Sequence, residues 1–276
     1  MIRNILCVFV VCLGIAIPGT SQEKHPYDTL WRRVDQLSDS LGLTRTALDS
    51  VGSIYTRARE ENDMPQVIKA LLYRVRLEGT VEEDMGLRTI RTLEAQTDSL
   101  PEPARSILQS LTAGAYQLYY QQKRFEVLSR TAVQSGSDDI NTWSAADFGR
   151  HITALFAASL KNPDLLKQIK VDAYQVVLDK GNMGNVRPTL YDVLANRAIQ
   201  YFSNDEQDVT VPIYTFVLDD SAVFAPAREF STHLFYTPDS TSHYWQALLL
   251  YQDLLRFHQD DKAPNAFIDA DINRLE

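Results

Sequence analysis

A chain of 276 residues, 45% of them apolar and 23% charged, can bury one large core or two small ones and is too hydrophobic for a disordered tail. Its formal charge of −9 argues against nucleic acid or anionic lipid as a partner, because a phosphate backbone is held by clustered Lys and Arg. The only cysteines, Cys7 and Cys12, lie in the first apolar run, so neither a disulfide framework nor thiol catalysis is expected in a processed chain.

That run reads as a secretory leader. Arg3 is followed by the uninterrupted apolar stretch Ile5 to Ile17, then by Pro18 and small residues, with the expected cut after Ser21. Thirteen apolar residues fall short of the roughly twenty that cross a bilayer, so no stable membrane span is expected. Arg3 is the only charged residue among residues 1–21, so cleavage moves the formal charge from −9 to −10. The product, residues 22–276, is expected to be exported to the periplasm, the cell envelope or the medium as a single helical domain.

From there the apolar spacing is helical almost throughout. Leu30, Val34, Leu37 and Leu41 predict a first helix ending at Gly42. Leu48, Val51, Ile54, Tyr55 and Ala58 predict a second, with Thr46 and Asp49 in capping-box spacing at its start. Val67, Ile68, Leu71, Leu72 and Val75 mark a third that ends near Gly79, and Leu87, Ile90 and Leu93 a fourth that ends before the Pro-rich "SLPEPA". Two helix pairs of about 34 residues each have the size of a tetratricopeptide unit, although that repeat's Trp-Leu-Gly-Tyr signature is missing. The expected fold class is therefore all-α: antiparallel helix hairpins in a solenoid-like array.

Ala104, Ile107, Leu108, Leu111, Ala115, Leu118 and Tyr119 predict a long core helix. After a polar loop, Ser144 with Asp147 caps a helix with the stripe Phe148, Ile152, Leu155, Phe156 and Ser159, which Asn162 and Pro163 stop. A short helical stretch around Tyr174 to Leu178 ends at Gly181. Thr189 with Asp192 then caps a helix whose buried face carries Leu190, Tyr191, Leu194, Ala198, Tyr201 and Phe202, while Asp192, Asn196, Gln200 and Ser203 point outward. A loosely structured segment is expected near 205–240, with a short extended piece that Pro212 confines to an edge. Tyr244, Leu248, Tyr251 and Leu255 mark another helix to His258. In the last one, Ile268, Ile272 and Leu275 form a face without a partner, as in a truncated reading frame or fragment.

Catalytic and metal patterns are absent from the sequence. His243 and His258 share a helix but stand about 22 Å apart along it, too far for one ion. His25 and His151 belong to no ligand spacing, and no H-E-x-x-H, P-loop, G-x-G-x-x-G or G-x-S-x-G occurs. The acidic doublets at Asp138, Asp219 and Asp260 sit in loops and lack the remainder of a calcium loop. Tyr116, Tyr119, Tyr120, Tyr236, Tyr244 and Tyr251 fit core packing first and a binding groove second. No catalytic, cofactor-binding or metal-binding residue is assigned.

The strings "YYQQKRF", "DDINTWSAADFGRHI", "RPTLYDVLANRAIQYFSNDE", "LDDSAVFAPAREF" and "DADINRLE" resemble, in order, the N-terminal helical region of alpha-2-macroglobulin family proteins of Bacteroidetes-type bacteria, from about Leu30 to the last residue. The resemblance implies a noncatalytic exported scaffold that precedes macroglobulin β-domains, in a family that traps endopeptidases with a bait segment and sometimes a Cys-x-Glu-Gln thioester. Neither β-domains nor the thioester motif lies in this sequence. The implied partners are therefore downstream macroglobulin domains and, through them, proteases. A stand-alone helical-repeat module that binds a peptide or glycan at the cell surface is the second reading of the same pattern.

Overall fold

The computed structural model describes residues 26–79, 85–129, 139–178, 184–204, 219–239 and 242–276. The expected leader at 1–21, the end of the short stretch at Gly181 and the expected extended piece at Pro212 lie outside them. All regular structure among the described residues is helical, apart from one isolated bridge between Lys170 and Thr189.

Helix α1 (Asp28–Asp35) widens into a single π turn at Gln36–Ser40 and stops at Gly42, whose φ of 65° is one that glycine adopts without steric cost. Three residues then join α2 (Thr44–Glu60) to α3 (Met64–Glu78). Asn62 turns the chain at a φ of 56° while the Asp63 N–H reaches back 2.9 Å to the Ala58 carbonyl, satisfying a carbonyl of the last turn. Asp63 next caps α3 by accepting the Gln66 N–H at 3.2 Å. Two expectations fail here. Thr46 and Asp49 lie inside α2 and cap nothing, and Leu41 is exposed, its place in the core taken by Trp31 beside Val34 and Leu37.

Helix α4 (Met85–Thr97) packs against α5 (Ala104–Leu128), which is longer than its apolar stripe predicts and packs in turn against α6 (Ala145–Ser159). Gly86 makes the first contact possible: a Cβ there would stand 2.7 Å from the Tyr119 ring. The capping box of Ser144 and Asp147 forms as expected. Pro163 does more than stop a helix, since it opens the short α7 (Pro163–Gln168), where its missing N–H is not needed. The expected helix around Tyr174 is a 3₁₀ turn at Val171–Tyr174.

The remaining helices are α8 (Leu190–Phe202), α9 (Ala227–Thr232), α10 (His243–His258) and α11 (Asn265–Asn273). Up to α6 the main packing is between helices adjacent in sequence, as a solenoid-like array of hairpins requires. Beyond it the order changes: α8 touches α5, α6, α7 and α10, and α10 gathers α9 and α11. Two apolar clusters result, and α8 serves both. Leu190, Leu194 and Ile199 join the one that extends from Tyr27 to Ala270, and Ala198, Tyr201 and Phe202 the one around Tyr116, Phe148 and Phe156. No helix among the described residues is long and apolar enough to cross a membrane.

Candidate functional site

The strongest polar constellation lies where α8 begins and α10 ends. Thr189 and Asp192 form the predicted capping box, with one carboxylate oxygen of Asp192 accepting from the Thr189 N–H at 2.8 Å and from its hydroxyl at 2.7 Å. The other oxygen faces inward. There it meets His258 Nε2 at 2.7 Å, across 66 residues of chain, and both side chains are only 2% exposed. The opposite ring nitrogen, Nδ1, lies 2.7 Å from the Asp261 carboxylate. Ionised carboxylates only accept, so this pair of neighbours favours the imidazolium form of His258, in which both ring nitrogens donate. Burial opposes that charge, but the hydrogen bonds and charges of Asp192 and then of Asp261 more than offset it and raise the pKa above the usual histidine value. The C-terminal end of α10 adds a favourable dipole.

A second cluster adjoins it. Asp253, one helical turn before Phe257, receives Lys167 Nζ at 2.8 Å and the Tyr191 hydroxyl, and the ammonium lies 4.5 Å from the Tyr191 ring centre and 5.2 Å from that of Phe257. Burial acts to raise the Asp253 pKa, yet the bonds from Lys167 and Tyr191 keep the carboxyl below its ordinary range. On the far side of α8, Arg197 donates to the Ser110 hydroxyl at 2.8 Å and to its carbonyl at 3.1 Å, tying α8 to α5, and burial lowers its pKa to about 10. These groups fasten α7, α8, α10 and α5 together. A general base needs a nitrogen free to take a substrate proton, and His258 has none.

The other sequence candidates are scattered. His151 lies edge-on to Tyr116 with ring centres 4.6 Å apart, Tyr116 donates to Glu94 at 2.6 Å, and Trp143 stacks on Tyr116 at 5.5 Å. His243 Nε2 lies 3.1 Å from the Thr153 hydroxyl, and His25 is outside the described residues. Among the described residues no group of three or more His, Cys, Asp or Glu could hold a metal. Each acidic doublet supplies a local structural bond: Asp139 caps a 3₁₀ turn, Asp220 caps another and meets His233 at 2.8 Å, and Asp261 holds His258. Asp138 is outside the described residues. Tyr116, Tyr119 and Tyr120 are core, as their apolar context predicts, whereas Tyr236 is almost fully exposed.

Sequence pattern missed the role of Asp192, which it assigns to the outer face and which the structure buries. Asn196 is also misplaced: it is half-buried and donates to the Asp192 carbonyl at 2.8 Å, leaving Gln200 and Ser203 as the outward residues. An available signal was the capping box itself, because a cap at a buried helix start carries its carboxylate inside. A cleft of about 250 Å³ lies between α2, α3 and α4, lined by Leu48, Val51 and Leu71 and by Tyr55, Arg74 and Gln96. No protein-family model, curated protein or solved structure matches this chain.

Proposed function

We propose that this chain is a noncatalytic, exported helical scaffold of the alpha-2-macroglobulin-like kind, serving as the N-terminal platform of an endopeptidase inhibitor whose trapping parts lie on downstream macroglobulin domains. The observation that carries the noncatalytic reading is the way the best polar cluster is used. Every polar atom of the His258 and Asp192 side chains is engaged in holding helices together, which suits a rigid support. The inhibitor context rests on the sequence resemblance, and the all-helical fold agrees with it. An antibody against residues 26–276 should detect, in the envelope of the source cell, a polypeptide far larger than 31.3 kDa. A band only at or just below that mass, in the presence of intact loading controls, overturns the platform reading.

The second reading, a self-contained binding module for a peptide or glycan, has one observation in its favour: the cleft beside Tyr55 and Gln96. Tyr116 and Tyr120 do not support it, because both are buried. A loss of peptide or glycan binding on changing Leu48→Arg, with the fold intact by circular dichroism, would favour the module over the platform.

A further inference from the structure

Six large apolar side chains stand in water around the C-terminal part of the molecule. Ile268, Ile272 and Leu275 form a stripe at i, i+4 and i+7 along and just beyond α11, Phe224 is 73% exposed, and Leu234 and Tyr236 are 91% and 88% exposed. Their backbones are held close together. Arg274, its side chain 2% exposed, donates to the carbonyls of Val223 and Ala225 on either side of Phe224, and its guanidinium lies 4.3 Å from the Phe230 ring centre. His233 Nε2 lies 2.8 Å from Asp220, while Gln252 donates to the carbonyls of Phe230 and His233 at 2.7 Å each. Phe235 points into the core, so the extended chain around it presents Leu234 and Tyr236 outward. The exposed side chains are thus displayed by a fastened frame.

Charge identifies the occupant. Between Asp219 and Glu276 there are ten acidic side chains against four basic ones, whereas residues 26–79 carry eight of each. Asp219, Glu229 and Glu276 are exposed and form no ion pair among the described residues. An apolar face rimmed by unpaired carboxylates repels nucleic acid, anionic lipid and a second copy of this acidic chain. We propose that the face built by α11, the turn at Ser221–Phe224 and the segment 233–236 docks a basic amphipathic segment of another polypeptide, apolar side chains on Phe224, Ile272 and Leu275 and cations on the carboxylate rim. The inference stands whether or not the chain is a macroglobulin platform, since it uses this surface alone.

Fluorescence anisotropy with a labelled synthetic helix of leucine and lysine, lysines on one face, tests it. Saturable binding is expected, weakening with added salt. Affinity should fall about tenfold or more when Phe224→Ser and Ile272→Ser are combined, or when glutamate replaces lysine in the peptide. Circular dichroism of the double variant should match that of the parent, because both residues face water. The proposal is overturned by unsaturable binding, by equal binding of a lysine and glycine peptide that lacks an apolar face, by equal binding of the glutamate peptide, or by a double variant that binds as the parent does. Sedimentation showing self-association that the same double variant abolishes would also overturn it, in favour of a second copy.

Discussion

The helices from Tyr27 to α5 and those from α7 to α11 are held together in different ways. In the first region sequence neighbours lie side by side and apolar stripes do most of the joining, with one buried bond from Trp31 to Gln66 at 2.7 Å and others such as Tyr55 to Gln96 at 2.7 Å on the flanks. In the second, helices distant in sequence meet, several are short, and buried or half-buried charged and amide side chains secure them: His258 to Asp192, Lys167 to Asp253, Arg274 to two carbonyls, Gln252 to two more. The difference teaches that local hairpins need little more than periodicity. Short, irregular segments bury too little apolar area to be positioned by packing alone, so their free backbone groups must find partners.

The largest expected effect tests whether the regions are separate at all. Leu194→Asp places an unpaired charge in the core next to α10, and α8 also touches α5 and α6, so loss of the cooperative thermal transition throughout the molecule is expected. If hydrogen exchange still shows protected amides in α2 and α3 of this variant, the first region folds on its own and the contrast is sharper than drawn.

His258→Ala should follow, at about 3 to 5 kcal/mol in urea titration, because it leaves the buried Asp192 oxygen without its cation. Exchange should rise in α8 and α10 well before α2 and α3; a uniform rise breaks the distinction. The same pin carries a pH signature. The folded pKa of His258 is raised above its unfolded value, so its stabilising contribution is complete below about pH 6.5 and is lost as pH rises through the higher folded value. The gap in urea midpoint between the parent and His258→Gln should therefore narrow on the alkaline side, and a gap that widens there would show that the imidazole is neutral in the fold.

Smaller effects compare like with like. Thr189→Ala and Ser144→Ala each remove a capping hydroxyl, costing about 1 kcal/mol in general. Thr189 should cost the more, since its cap is buried and also positions the carboxylate that faces His258, whereas the Ser144 cap is half-buried. Equal urea midpoints would mean that the Thr189 hydroxyl contributes nothing to the pin. Last, Tyr55→Phe should cost about 1 kcal/mol or less, as a single half-exposed hydrogen bond at the edge of the first region.

Much of this is visible in the residues alone. The helical class, the corner at Gly42, the boxes at Ser144 and Thr189, the buried face of α8 and the water-facing stripe at Ile268, Ile272 and Leu275 all follow from patterns confined to a few turns of chain. Helix periodicity and capping are local physics, so a window of the sequence contains everything that determines them. The failures are instructive for the same reason. Asp192 reads as an outward polar residue, and Thr46 and Asp49 read as a cap, because the spacing is compatible with both meanings.

Only the tertiary structure decided which meaning applied. Whether a carboxylate can be buried depends on a cation arriving from elsewhere, and His258 comes from 66 residues away. Whether Arg274 is a solvent-facing end or a clamp depends on the carbonyls of Val223 and Ala225 being left free by a turn too short to use them. The sequence by itself determined the rods, their caps and the acidic balance of the C-terminal part. Their order in space was decided by desolvation, which makes every buried polar group seek a partner that no local pattern can name.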